Sequence, residues 1–328
     1  MFRYLLFSLL LIVLTSSCSN DIDLNDVFKD IPVVYGILDP TDTAQYIRIE
    51  RVFNSEDISA LEIAKNTDSL YYKDITVKLK DETAKIEYQL TKVDGNKDKR
   101  VRENGVFGTS PNYLYKAKTS AINLKPGKKY TVLVFKNDKD TLTTASIYVV
   151  DNISFYIPAS NEKPLKLPYL SLINVAWEGG NNAAYYDFFV DFNVKEKNIT
   201  TDNIWQNKTY TWKVDDYIKE QKIRIECEDF FQFLGKNLEN NENIKRKFIS
   251  IDFKVRGVGK ELKEYIDILH FDSGITSSQQ LPTYTNLSYG YGVFSSINVA
   301  ETAGFLIDET SRDSLALGIY TKNLNFEF

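Results

Sequence analysis

From Ile31 onward the chain is patterned for strands. Ile31-Pro32-Val33-Val34-Tyr35-Gly36-Ile37-Leu38 is an apolar run closed by the turn pair Asp39-Pro40, and after Thr41–Gln45 Ile47 and Ile49 alternate with Arg48 and Glu50. Alternation with a period of two marks a half-buried strand, and two such runs around a polar loop predict an antiparallel hairpin. Residues 54–72 break the pattern: Ser55-Glu56-Asp57 followed by Ile58, Leu61 and Ala64 at every third position predicts a short helix, with its acidic residues in the first turn. Alternation resumes at Ile75, Val77 and Leu79 and again at Ile86, Tyr88 and Leu90.

Leu124-Lys125-Pro126-Gly127-Lys128-Lys129-Tyr130 then turns the chain, and Tyr130, Val132 and Val134 share one face. The run resembles the Leu-x-Pro-Gly-x-x-Tyr corner of fibronectin type III and related immunoglobulin-like domains, in which the tyrosine bonds back to backbone. With a final strand over Thr141–Val150, it implies an N-terminal immunoglobulin/fibronectin III-like β-sandwich over 31–150. Such a scaffold implies no chemistry by itself.

A boundary is expected at Asp151-Asn152, ahead of a proline-interrupted lead with Pro158, Pro164 and Pro168. Strands follow at Leu172–Trp177, Tyr185–Val194 and Thr209–Asp215, and Trp177 shares a face with Ile173 and Val175, as a core residue does. Helices are predicted at 228–238 and 260–269. In the second, Leu262, Tyr265, Ile266 and Leu269 fall at i, i+3, i+4 and i+7. Between them Ile249, Ile251, Phe253 and Val255 alternate with polar residues, and Asp308–Leu317 forms a last helical candidate. The class expected is mainly β, with 151–328 forming an α+β domain.

Composition narrows the chemistry. The 328 residues carry a net charge of −5 with both signs interspersed, which argues against nucleic acid as a partner. His270 is the single histidine, so clusters of histidines for zinc or iron are excluded, and no Gly-x-Ser-x-Gly elbow is present for it to serve. At a helix C-terminus it interacts favourably with the helix dipole. Asp94, Asn96 and Asp98 have calcium-loop spacing, but Lys99 stands where the tight-turn glycine belongs and no glutamate closes the loop. Asp94-Gly95 reads as a solvated hairpin tip instead. No catalytic, metal or cofactor site is expected.

Of the two cysteines, Cys227 sits in Ile223-Arg224-Ile225-Glu226-Cys227 and reads as a small buried hydrophobe. The other, Cys18, closes an N-terminal pattern of one basic residue, Arg3, an apolar run from Tyr4 to Leu14 and small residues, which is a secretory signal. The apolar run is too short for a permanent span. The small residues ahead of Cys18 resemble the lipobox of bacterial lipoproteins, with Thr15 at the position leucine usually holds. That resemblance implies a signal over 1–17, lipidation of Cys18 and a tether over 18–30. Each buried acyl methylene adds about 0.8 kcal/mol, so several chains anchor permanently. Ser19-Asn20-Asp21-Ile22-Asp23 resembles the acidic patch that sends Bacteroidota lipoproteins to the cell surface.

Pro32–Leu38 with its hairpin, Ser59-Ala60-Leu61-Glu62-Ile63-Ala64 and the run from Tyr284 to Phe294 look like a Bacteroidota outer-membrane lipoprotein family of unknown function, often encoded beside TonB-dependent receptors. The resemblance implies an outer-membrane, lipid-anchored, surface location and carries no catalytic residue. Asp-Ser/Thr before an apolar residue resembles the O-glycosylation acceptor of that phylum and marks Thr43, Ser69, Thr141 and Ser314 as candidates. In polar loops the same residues also favour turns.

Three functions follow from these readings. The first is a non-catalytic binding or assembly lipoprotein that docks on an outer-membrane receptor. The second is a carbohydrate-binding lipoprotein, and the third a glycoside hydrolase with two facing carboxylates. For the first two, Trp205, Tyr284, Tyr289 and Tyr291 are the candidate ligand-binding residues, because aromatic residues in polar or turn-rich runs are enriched in binding patches. Packing in the core is the competing role for each.

Overall fold

Apolar alternation becomes strand pairing throughout the computed structural model, which describes residues 30–52, 60–159, 164–201, 203–271 and 284–328. The expected signal, Cys18 and the start of the helix expected at 54–72 lie outside the described residues.

The first half comprises β1 (Pro32–Leu38), β2 (Ala44–Arg51), α1 (Ala60–Lys65), α2 (Thr67–Leu70), β3 (Ile75–Asp81), β4 (Ile86–Gln89) and β5 (Thr91–Asp94). A 3₁₀ turn (Gly95–Asp98), β6 (Tyr113–Lys118), α3 (Thr119–Ile122), β7 (Lys129–Lys136) and β8 (Asp140–Tyr148) complete it. One layer has the order β1-β2-β6-β5 and the other β4-β3-β7-β8. Inward residues of both layers, among them Val34, Ile47, Ile49, Val77, Leu79, Val132 and Ile147, fill one core. This division of consecutive strands between two sheets is that of an immunoglobulin-type sandwich. Tyr130 fixes its corner as the sequence predicts: the buried phenol accepts from the Lys125 amide at 3.0 Å and donates to the Asn123 carbonyl at 3.2 Å.

The second half comprises β9 (Ile153–Ile157), β10 (Leu172–Gly179), β11 (Ala183–Asn198), β12 (Gln206–Ile218), β13 (Lys222–Glu226), α4 (Cys227–Asn237), β14 (Ile244–Gly259), α5 (Lys260–Phe271), β15 (Tyr291–Phe305) and α6 (Glu309–Leu317). Strands dominate here too. A small sheet, β13-β10-β9, and the strands β12-β11-β14-β15 enclose a second core with Trp177, Phe188, Phe192 and Phe253, capped by Phe230, Phe231 and Leu234 of α4. Trp177 is fully buried and stacks on Phe188 at 5.8 Å. Cys227 is also fully buried, as expected of a small hydrophobe.

The sheets do not stop at the boundary expected near residue 151. β15 pairs with β14 on one edge and, in parallel, with β1 on the other, so one sheet of eight strands runs through both halves. Its entry beside β1 requires glycine: Gly292 has φ +112°, and a Cβ there would lie 2.0 Å from the Val34 carbonyl. Phe294 crosses into the first core, against Gly36. Residues 31–328 form a single unit around the two cores.

Candidate functional site

Strand alternation decides which residues face outward from the long sheet. In β1, Val34, Gly36 and Leu38 point into the sandwich, so Val33, Tyr35 and Ile37 point out. Tyr35 lies opposite Arg48 of β2, and Tyr46 follows on the same face. Val293 and Ile297 of β15 and Leu114 of β6 extend this floor. One wall is α5, which presents Leu262 and Tyr265; the other is the segment after the 3₁₀ turn, with Arg100 and Val101. Together they bound a cleft of about 620 Å³, within the usual range of ligand sites. Beyond Tyr35 and Arg48, a second hollow of about 460 Å³ is lined by Val33, Glu50, Leu70, Arg102 and Phe107.

The charged groups of this face are matched among themselves. Glu50 takes Arg102 at 2.7 Å and Arg48 at 3.3 Å, and Arg102 also reaches the Tyr71 hydroxyl at 3.1 Å. Arg100 pairs with Asp42 at 2.5 Å and lies over the Tyr46 ring, 4.9 Å from its centroid. Asp98 accepts from Lys116 at 2.6 Å and from the Tyr46 hydroxyl at 2.9 Å. Those bonds hold its carboxyl below the usual range and Lys116 above its own. Asp98 is thus a bonded partner of β2 and β6 rather than part of a solvated tip. Burial, followed by a hydrogen bond with Tyr265, pushes the Tyr35 phenol far above its ordinary value, so it stays neutral. With the charges neutralised, what the cleft offers a ligand is aromatic and aliphatic surface.

Of the sequence candidates, Tyr284 and Tyr291 border this region. Tyr284 donates to Glu264 at 2.8 Å and meets Tyr265 edge-on at 6.4 Å. Tyr291 opens β15 opposite Val33. Tyr289 turns to the other layer, its carbonyl accepting from the Thr143 hydroxyl at 2.6 Å. Trp205 is elsewhere. It precedes β12 and lies against Lys197 and Lys247, at the end of the sheet where β14 begins. From Lys247 to Val258, which pairs with Ile297 at the cleft end of β15, is roughly 35 Å at the strand rise. The four aromatic residues therefore do not compose one site.

Thr43 and Thr141 are exposed beside turns, whereas Ser69 lies in α2 and Ser314 within α6, where its hydroxyl bonds the Thr310 carbonyl at 3.0 Å. Among the described residues no group of three or more His, Cys, Asp and Glu is placed to hold a metal. Burial pushes the Cys227 thiol up.

Sequence reasoning did not single out Tyr35, Ile37, Tyr46 or Tyr265. The signal was present in β1, whose residues are apolar on both faces. Such a run marks a strand with an apolar surface on both sides, and α5 with the segment after residue 98 flanks the outer side without closing over Tyr35 and Ile37.

The family model described as "Domain of unknown function (DUF4249)" matches residues 19–303. No curated protein matches the chain. Among solved structures, the FN1–FN3 domains of chicken CNTN1 align over 83% of this chain and 69% of that chain, at 13% identity and a TM-score of 0.20.

Proposed function

The chain belongs to the DUF4249 family, a domain of unknown function, and we propose that it is a non-catalytic binding or assembly lipoprotein of the outer membrane. On this reading Cys18 carries the lipid, residues 18–30 form the tether, and the body faces the cell surface. The body combines the immunoglobulin-like sandwich of 31–150 with an α+β part over 151–328. Its partner is a membrane protein, with a TonB-dependent receptor as the candidate.

The observation that carries the proposal is the cleft between α5 and the Arg100 segment. Its floor holds Ile37, 41% exposed, beside Tyr35, 39% exposed. Apolar side chains held open on a rigid sheet, with the flanking charges already paired, suit the insertion of a partner's hydrophobic side chains. Asp42 is engaged by Arg100, and Asp39 caps its own turn through the Thr41 amide at 2.8 Å.

Mild-detergent purification of the tagged lipoprotein tests the proposal. One stoichiometric membrane protein is expected, and it is lost when Ile37→Asp places a charge on the cleft floor. Equal recovery from the variant, or no partner at all, would overturn it. Retention on a glycan panel would favour the carbohydrate-binding alternative.

A further inference from the structure

At the opposite end of the long sheet from Tyr291, four lysines form a square. Glu196 of β11 and Arg246 of β14 point inward and pair at 2.6 Å, 4% and 0% exposed. Their neighbours along each strand therefore point outward together. Lys195 lies opposite Lys247, and Lys197 opposite Lys245. Among the described residues none of these four makes an ion pair, although Glu239 and Glu242 lie on the adjoining turn. The other cations of this face are matched: Lys213 has Asp216 at 2.7 Å, Lys254 has Asp191 at 2.8 Å, and Arg256 has Asp187 at 2.5 Å.

Like charges directly opposite on neighbouring strands repel each other, and on a chain of net charge −5 such a block stands out. An anion placed over it relieves the repulsion. Trp205 sits at the edge of the block, with Lys197 Nζ 4.9 Å and Lys247 Nζ 5.0 Å from its ring. The turn between β11 and β12 adds two aliphatic side chains to the same tip, Ile199 at 46% and Ile204 at 62% exposed.

We propose that the β11–β12 tip, with Lys195, Lys197, Lys245, Lys247, Trp205, Ile199 and Ile204, docks on the surface of a bilayer containing anionic phospholipid. Each part matches one layer of that surface. The ammonium groups meet headgroup phosphates, the indole occupies the interface between polar and apolar zones, and the isoleucines enter the acyl boundary. An acidic polysaccharide would satisfy the lysines but give the two isoleucines no apolar phase. The inference concerns the folded body and is independent of the Cys18 anchor and of the cleft.

Quenching of Trp205 tests it. The full chain is reconstituted in vesicles whose acyl chains carry bromine, with phosphatidylglycerol present or absent, and the Trp205→Phe variant isolates this indole from Trp177 and Trp212. Strong quenching is expected with phosphatidylglycerol and little with phosphatidylcholine alone. Reversing two charges, as in the double variant Lys195→Glu/Lys247→Glu, is expected to weaken the association at least about thirtyfold and so to remove most of the quenching. In the double variant Ile199→Asp/Ile204→Asp, which keeps the lysines, quenching is expected to fall as well. Equal quenching in both kinds of vesicle, or no effect of either double variant, overturns the proposal. So does absence of quenching when soluble polygalacturonate shifts the Trp205 emission, which would assign the patch to acidic glycans.

Discussion

The side-chain amide of Asn298 donates to the Val150 carbonyl at 3.1 Å and to the Asp151 carbonyl at 3.0 Å. Two residues earlier, the Ser296 hydroxyl accepts from the Val150 amide at 3.0 Å. β15 thus closes the backbone groups where the sandwich strands end and the second half begins.

Replacing Asn298, which is buried, leaves both carbonyls without that donor. Asn298→Ala is expected to lower stability by about 1–3 kcal/mol, measured as a shift in the urea midpoint. An unchanged midpoint would show that water or a rearranged side chain serves the junction equally well.

The corner hydroxyl of Tyr130 makes two backbone hydrogen bonds inside the first core. Tyr130→Phe keeps the ring and loses both, at about 1–2 kcal/mol. The slope of the denaturation curve should stay constant, because the surface exposed on unfolding hardly changes. A changed slope would point instead to a loosened native or denatured state.

Arg246 is fully buried: its Nε meets Glu196, and its terminal nitrogens donate to the Leu324 carbonyl at 2.8 Å and the Glu239 carbonyl at 2.9 Å. Arg246→Ala leaves the Leu324 and Glu239 carbonyls without their donor, while Glu196 keeps Lys208 at 2.6 Å and the Tyr210 hydroxyl at 2.8 Å; the expected loss is about 2–3 kcal/mol. The double variant Glu196→Gln/Arg246→Met should recover part of it. Limited proteolysis should cut near residue 324 faster in the single variant, and equal cleavage rates would count against the pinning role.

Glu82 accepts from the Thr131 hydroxyl at 2.8 Å and pairs with Lys80 at 3.0 Å. Its carboxyl is lowered from an ordinary 4.5 to about 2, by the Thr131 bond first and then by Lys80. A lowered folded-state value adds stability above the unfolded value that is lost as pH falls. The Glu82 contribution is therefore complete above pH 4.5 and disappears as pH approaches 2. Glu82→Gln should flatten the acid limb of the stability profile over that window, with a loss of about 1 kcal/mol at neutral pH for a partly exposed pair. Parallel acid limbs for the two proteins would exclude the linkage.

Membrane anchoring is tested most directly at the cysteine. Cys18→Ala is expected to move the protein from the membrane fraction to the soluble fraction after cell lysis. Retention in the membrane fraction would show that Cys18 carries no lipid.

The cleft was only partly legible in advance. The turn-rich surroundings of Tyr284 and Tyr291 point to this side of the molecule, where Tyr284 meets Tyr265 of the cleft wall and Tyr291 lies opposite Val33 of the second hollow. Tyr35 and Tyr265 are far apart in sequence and meet edge-on at 6.2 Å only because β15 brings the second half alongside β1. Trp205 drew notice for its polar surroundings. What distinguishes its position is the pairing of β11 with β14, which aligns two lysine-rich segments.

Periods of two and three to four residues belong to the local chain, and these placed most strands, the helices at α4, α5 and α6, and the buried role of Trp177; the burial tendency of free cysteine placed Cys227, and the resemblance to the fibronectin III corner placed Tyr130. The same local chemistry supplied the anchor reading at Cys18. Register between distant strands is not a local property: it is set by which apolar faces bury each other and by where glycine permits close approach, as Gly292 does beside Val34. The tertiary structure alone therefore decided that the two halves share one sheet, that the outer face of β1 becomes a cleft, and that four lysines stand together with no ion pair among the described residues.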